Sequence, residues 1–438
     1  MTEALIIVTG ALALIYIAVI SLKKPVIYMW LYLLASTKLL GFVNFSYIEI
    51  RGMFNVMFYL NVVTIISIII TMSQERRVDT KDFRFPFAIA ALTAFGMLYP
   101  VFLGYSGIIS SVTDGKDFLC YSFLGYLLIH RKDITTESIY RVITFIGISL
   151  SVIMIISSTT GLSPAGYEAV NEELGNKGGI HIYYSTFISL AIFLQLTRFI
   201  RQEKSFKDGL MVLILFFGAL LQPHRSLFFS ILPASAFLIF YKTKTNFKLQ
   251  MIFCLIAVLF GMRLFLDRNL VTETFIEPIN ELLQQEGSMA SRRVINSFRW
   301  DEIANRPLLG YGFIDESSKL GDDFKYVSNT RYNQTLGTVD SGYIDSLIRF
   351  GIVGTILLLS LYIYIIVIPF RRGQYKRPEM LAAGLFLGSY FIVSLTWSVF
   401  TYIHGIIPAC AAVYLILVGQ NYETADSEIF ADSVPAVN

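Results

Sequence analysis

The sequence has 438 residues, of which 55% are hydrophobic and only 15% are charged, whereas a water-soluble domain carries about a quarter charged residues. This composition and the mean hydropathy of +0.62 exclude an ordinary soluble domain and predict an integral membrane protein. The net charge of +3 is small, and we expect no nucleic-acid partner; the three cysteines, an odd number without paired spacing, argue against a disulfide framework or a metal site.

Long apolar runs recur along the whole chain and predict an all-α polytopic fold with about 12–13 transmembrane helices. The N-terminal run lacks the basic leader of a secretory signal peptide and is predicted to be a retained first helix. The predicted spans are 3–22, 25–44, 52–73, 85–105, 110–130, 139–160, 180–200, 208–223, 226–241, 249–266, 343–370, 379–398 and 401–420.

The short loops that are rich in Lys and Arg begin near residues 23, 74, 130, 201, 242 and 371. All of them fall on one side of the membrane when the predicted helices alternate, and such loops are typically cytoplasmic. The pattern therefore predicts an N-terminus outside the cytoplasm and a cytoplasmic tail, 421–438, which we expect to be disordered.

The chain divides into ten predicted helices over 1–266, an extracytoplasmic loop over 267–342, further transmembrane helices over 343–420, and the tail. A second outer loop covers 161–179. The loop 267–342 is long enough to hold its own helices, and an unstructured connection of that length inside a compact protein is usually functional. We therefore expect the chemistry of the protein to reside in that loop.

A helical pattern with a basic face precedes a Pro/Gly-punctuated turn, "PLLGYGF", in the long loop. Arg292, Arg293 and Arg299 lie on or beside its polar face. The alternative to a binding role is a solvated helix face. Their position on the outer side, where Lys and Arg are normally depleted, favours binding.

Arg225 lies in "GALLQPHRSLFFSILP", between two apolar helices and beside His224. An ionisable residue at membrane depth indicates function because its desolvation is costly, although an arginine at the interface can also snorkel to water. A guanidinium suits a phosphate through paired charge-assisted hydrogen bonds. Lys38 and Arg263 are weaker candidates near the same outer level.

Asp340 stands where the long loop re-enters the membrane, at the start of "VDSGYIDSLIRFGIVG". One interpretation is a helix N-cap; another is a base that removes the proton of a sugar hydroxyl, kept ionised by the nearby arginines. The sequence shows no phosphate-binding Gly-rich loop, no His/Cys metal spacing and no Ser-His-Asp arrangement, so we expect no metal and no cofactor.

Three patterns in this order resemble those of the O-antigen ligase and polymerase superfamily: "HRSLF" at Arg225, "SRRVINSFRWDEIANRPLLGYGF", and "VDSGYIDSLIRFGIVG". The resemblance covers most of the chain in architecture and is sequence-specific from about 287 to 354. One departure is that the histidine of the family's last pattern is Asp340 here, followed by Ser341 in place of asparagine. Because ligases use that histidine to activate the acceptor, the departure favours a polymerase.

The resemblance implies metal-independent glycosyl transfer on the extracytoplasmic face of a bacterial inner membrane. The donor would be a growing glycan on undecaprenyl diphosphate, and the acceptor would be a single lipid-linked repeat unit. Arg225 with Arg292 or Arg293 would hold the leaving diphosphate, and Asp340 would orient or deprotonate the acceptor hydroxyl. The further substrate-binding candidates are Arg299, His224, Tyr311, Tyr343, Arg263 and Lys38.

Three alternatives stay open. A ligase would use the same site to move finished glycan to lipid A core or to protein. A flippase or transporter would perform no chemistry, but transporter sites usually lie at the membrane midplane between repeats. A membrane sensor or scaffold is indicated by nothing except the acidic tail. Besides the lipid bilayer, a chain-length regulator and a flippase are the expected protein partners of a polymerase.

Overall fold

The computed structural model describes residues 2–37, 39, 55–74, 82–160, 185–201, 206–221, 225–242, 299–314, 341–370 and 378–432. Every regular element in these segments is a helix, which confirms the prediction of an all-α polytopic membrane protein. The predicted span 249–266 lies outside the described residues.

The helices follow the apolar runs. They are α1 (Thr2–Lys23), α2 (Pro25–Ser36), α3 (Val56–Gln74), α4 (Arg84–Phe102), α5 (Ile108–Gly115), a 3-10 helix (Lys116–Tyr121), α6 (Ser122–Ile129), α7 (Thr136–Thr160), α8 (Ser185–Arg201), α9 (Phe206–Leu220), α10 (Arg225–Lys242), α11 (299–305), α12 (Gly342–Val367) with a 3-10 turn (Ile368–Phe370), α13 (Pro378–Val393) and α14 (Ile403–Asp432).

Four of the described helices are long and apolar enough to cross a membrane: Val56–Gln74, Arg84–Phe102, Thr136–Ser158 and Gly342–Phe370. Six shorter apolar helices of 10–17 residues occupy other predicted spans. The multi-pass character is therefore supported by length and composition, and the count of about 12–13 spans stays a prediction.

Three predicted boundaries need correction. The span 110–130 consists of α5, the 3-10 helix and α6 in succession. The span 379–398 ends early, at Val393, and residues 394–402 form turns before α14 begins. The tail expected to be disordered from 421 is helical as far as Asp432, because α14 continues without a break.

The centre of the bundle is α8, which packs against α7, α9 and α13, while α14 packs against α6 and the 3-10 helix that precedes it. Buried polar bonds join helices in this core: the hydroxyls of Tyr121 and Tyr362 lie 2.8 Å apart, and Tyr28 bonds to Thr64 at 2.8 Å. Lipid tails are as apolar as leucine, so such bonds and close packing are what hold membrane helices together.

Residues that were predicted to share one membrane face lie close together. Arg131 pairs with Asp82, and Arg198 Nη1 lies 3.8 Å from Glu137 Oε1, all near loops predicted to be cytoplasmic. Which side of the membrane this is stays a prediction.

Candidate active site at the break in α12

The helix α12 is broken at Gly351, whose φ of 61° and ψ of −169° are not helical. This backbone conformation is essentially restricted to glycine. The break divides α12 into a short outer part, 342–350, and a long apolar part, 352–367. It also leaves carbonyl groups of the first part and amides of the second without their intrahelical partners.

The turn 307–313 of the long loop supplies those partners. Two of its amides donate to the freed carbonyls, and two of its carbonyls accept from the freed amides. The four backbone hydrogen bonds are Tyr311 N to Ile348 O (2.8 Å), Gly312 N to Arg349 O (2.8 Å), Ile352 N to Pro307 O (2.8 Å) and Val353 N to Leu308 O (3.1 Å). The "PLLGYGF" and "GIVG" patterns are thus two halves of one structural unit.

Glycines permit this close approach. Gly310 and Gly312 have φ values of 66° and 78°, which favour glycine. A Cβ on Gly310 would lie 2.5 Å from the carbonyl oxygen of Ile348, and a Cβ on Gly351 would lie 2.3 Å from that of Leu308. The turn and the helix therefore touch backbone to backbone.

Phe313 anchors the turn in the bundle. Its amide donates to the carbonyl of Gly96 in α4 at 2.7 Å, and its fully buried ring lies 5.1 Å from the ring of Phe118 and 5.5 Å from that of Phe350. The turn is consequently held between α4, the helical segment after α5, and α12.

A buried charge cluster lies beside the docked turn. Arg349 Nε donates to Asp345 Oδ1 at 2.9 Å, and Arg349 Nη1 donates to Asp114 Oδ2 of α5. The side chains of Arg349 and Asp345 are 9% and 1% exposed. We call Asp114, Arg349 and Asp345 the α5–α12 triad. It joins α12 to α5 across the helix bundle, since charge-assisted bonds to a guanidinium are strong and directional.

A neighbouring carboxylate holds α14 in place. Asp117, in the 3-10 helix, accepts a hydrogen bond from the amide of Ile403, the first residue of α14, at 3.2 Å. An anion at a helix N-terminus satisfies an otherwise free amide and complements the helix dipole. The turns at 394–402 are thereby kept next to the triad.

The outer end of α12 is tied to the end of α13. The amide of Gly342 donates to the carbonyl of Ser394 at 2.9 Å, and the hydroxyl of Ser341 donates to the same carbonyl at 3.4 Å. The hydroxyl of Tyr343 donates to the carbonyl of Phe391 at 2.7 Å. Tyr343, predicted to bind substrate, thus braces α12 against α13.

Tyr311 and Arg306 form the outer rim. The Tyr311 hydroxyl donates to Glu302 Oε2 at 3.2 Å, and burial together with the Glu302 carboxylate raises the pKa of Tyr311 to about 12, so the hydroxyl stays protonated near neutral pH. The Arg306 guanidinium lies 4.6 Å from the ring centre of Tyr105 and 5.7 Å from that of Tyr311. Among the described residues no carboxylate lies within ion-pair distance of Arg306.

These elements enclose a small cleft lined by Asp114, Asp345, Arg349, Tyr311 and Ile348, with a free volume of about 10 Å³. That volume holds about one water-sized group. The cleft offers carboxylate acceptors, a guanidinium and apolar walls, which is the chemistry that recognises a hydroxyl group on a larger molecule.

The structure places only some of the predicted site residues. Arg299 is buried in α11, with 5% exposure, rather than solvated on a polar face, and Tyr311 is 6% exposed. Arg225 is the first residue of α10, and its side chain lies outside the described part. The other predicted residues, Lys38, His224, Arg263, Arg292, Arg293 and Asp340, also lie outside it.

Four residues of this site were missed by the interpretation of the sequence: Asp114, Asp345, Arg349 and Arg306. The spacing of Asp345 and Arg349 by four residues on one helix was a usable signal. Asp114, an acid within a predicted span, was another. Among the described residues no group of three His, Cys, Asp or Glu side chains is placed to hold a metal ion.

The fold and the cleft define an all-α polytopic membrane protein with a polar site at the broken end of one helix. Residues 210–359 match the sequence model of the O-antigen ligase family, a range that includes α9, the turn 307–313 and the break in α12. The match confirms the resemblance to the O-antigen ligase and polymerase superfamily and supports a membrane glycan polymerase- or ligase-type function. A search of curated protein sequences found no match.

Proposed function

We propose that the protein is a polymerase that joins undecaprenyl-diphosphate-linked oligosaccharide repeat units into a surface polysaccharide, such as O-antigen, capsule or exopolysaccharide. The reaction is metal-independent glycosyl transfer on the outer face of the bacterial cytoplasmic membrane. The observation that carries the proposal is the cleft at the break in α12, because the turn and the helix that form it lie within the range matched by the O-antigen ligase family.

In this proposal, Arg225 and one of Arg292 or Arg293 bind the diphosphate of the donor and stabilise the negative charge that develops as it leaves. Arg306 is an additional candidate, since its guanidinium is held against two tyrosine rings without a carboxylate partner among the described residues. Asp340, at the entrance to α12, orients the acceptor.

A ligase is the second candidate function, and the match to the O-antigen ligase family favours it. Against it stands Asp340 at the position of the histidine that ligases use. A flippase is the third candidate, and it would leave the carboxylates of the cleft without a chemical task.

The experiment that tests the proposal is the glycan ladder of the source bacterium after deletion of this gene. A polymerase predicts that single repeat units still reach the surface, and that the long ladder returns when the wild-type gene is supplied on a plasmid. Long polymer accumulating on its lipid carrier would identify a ligase instead. Retention of unpolymerised units inside the cell, with no surface glycan, would identify a flippase.

A further inference from the structure

One oxygen of the α5–α12 triad is left without a donor. Asp345 Oδ1 accepts from Arg349, but Asp345 Oδ2 is buried and accepts no hydrogen bond from any residue in the described part of the chain. A buried charged oxygen without a donor carries a desolvation penalty of about 1–3 kcal/mol or more. Such an atom is normally retained where a ligand or a reacting group satisfies it.

The charge balance of the triad points in the same direction. One guanidinium, Arg349, is shared by two carboxylates, Asp114 and Asp345, so the triad as a whole is an anion when all three groups are ionised. The adjacent Asp117 is directed to the amide of Ile403. The triad therefore has spare capacity to accept hydrogen bonds and none to spare for binding an anion.

We propose, as an extension that rests on the polymerase function above, that Asp345 is the carboxylate that receives the reacting hydroxyl of the acceptor sugar. The cleft beside it has room for one water-sized group, and a sugar hydroxyl is of that size. Tyr311 and Ile348 supply apolar wall for the sugar ring, a combination of carboxylate and apolar surface that suits a sugar with alternating hydroxyl and C–H faces.

In the reaction, the hydroxyl oxygen of the acceptor forms a bond to the anomeric carbon of the donor. The bond from that carbon to the diphosphate oxygen breaks, and its electron pair leaves with the diphosphate. The hydroxyl proton passes to Asp345 Oδ2, which gives a neutral carboxyl group, and then to water. A positioned base of this kind typically contributes 10²–10⁴-fold to the rate.

The other two members of the triad act through Asp345. Arg349 holds Oδ1 and thereby fixes the direction of Oδ2, and Asp114 holds Arg349 from the opposite helix. They are positioning residues, and their loss should lower the rate less than the loss of the base itself.

The test uses the purified full-length protein in lipid nanodiscs, with the lipid-linked repeat unit extracted from the deletion strain as substrate. The variants are Asp345→Asn, Asp345→Glu and Asp114→Asn. Asp82→Asn is the matched control, because Asp82 is also a carboxylate paired with an arginine, Arg131, but lies away from the cleft. The measured quantities are kcat, KM and the thermal midpoint of unfolding.

We expect Asp345→Asn to lower kcat at least about 100-fold with little change in KM, and Asp345→Glu to retain part of the activity. Asp114→Asn should lower kcat about tenfold or less, because Asp345 keeps its partner Arg349. Both substitutions leave one neutral ion pair, so their thermal midpoints should be similar. The control should match the wild type in all three quantities.

Equal losses of kcat in Asp345→Asn and Asp114→Asn would overturn the proposal and reduce the triad to a structural ion pair. Wild-type kcat in Asp345→Asn would also overturn it. A total loss in Asp340→Asn, with Asp345→Asn active, would assign the base to Asp340 instead.

Failure of the polymerase function itself gives a different result: the wild-type protein then makes no polymer from the repeat unit but transfers finished glycan to another acceptor. In that case the same variants are compared in the ligase reaction. The same order of kcat values there would support the role of Asp345, and equal values would remove it.

Discussion

Replacing Gly351 with alanine tests whether the docked turn holds the break in α12. The backbone at Gly351 lies in a region that is essentially restricted to glycine, and the added Cβ would come within 2.3 Å of the backbone of Leu308. The variant has two ways to respond. It can keep the turn docked and bear the strain, or it can move the turn away and lose its hydrogen bonds.

Both responses cost a similar amount of free energy. A non-glycine residue in this conformation costs about 1–3 kcal/mol before any steric overlap is counted. Loss of the four backbone hydrogen bonds between turn and helix, at about 1 kcal/mol each, costs about 4 kcal/mol. We therefore expect Gly351→Ala to lower the free energy of unfolding by about 2–4 kcal/mol.

The assay is the thermal midpoint of the purified protein in detergent, followed by size-exclusion chromatography, together with polymerisation activity. Gly388→Ala is the matched control, because no atom lies within 4 Å of a Cβ added to that helical glycine. The control should be neutral or slightly stabilising. If Gly351→Ala keeps the midpoint of the control and full activity, the turn does not hold the break and the reasoning fails.

Three further substitutions probe the charged groups. Arg225→Ala should abolish polymer at normal protein level on immunoblots, and a normal ladder would remove its diphosphate role. Arg349→Met leaves two buried carboxylates side by side and should cost about 3–5 kcal/mol; adding Asp114→Asn and Asp345→Asn should restore much of the thermal midpoint, and no recovery would refute the charge argument. Arg306→Ala should raise the KM for the repeat unit several-fold, with Arg306→Lys intermediate, while an unchanged KM would leave Arg306 as a brace between two tyrosines worth about 1 kcal/mol.

The architecture was predictable from sequence because apolar length is a strong signal. Membrane spans must satisfy every backbone group internally, so a long apolar run has few alternatives to a helix. The helix ends were less predictable. Val393 ends α13 within an apolar run that continues, because the following turns are satisfied by buried protein contacts such as the bond from Gly342 to Ser394.

The site was predictable only in part. The "PLLGYGF" motif was correctly interpreted as a turn, but its partner is a helix break that no local pattern shows: Gly351 stands in an otherwise ordinary apolar helix sequence. Asp114 lies 235 positions from Arg349 in sequence, and their pairing depends on the packing of α5 against α12. Such long-range contacts are set by tertiary structure and not by spacing.

The order of the elements along the chain has a consequence for biosynthesis. The partners that fill the break in α12 lie in α4, α5 and the turn 307–313, and all of them precede α12. They have already left the ribosome when α12 emerges, so the break can be filled as soon as it is made. The outer end of α12 must wait for residues 391 and 394, which come later. The cleft therefore becomes complete only after α13 has been inserted, and a nascent chain that stops before that point has no finished site.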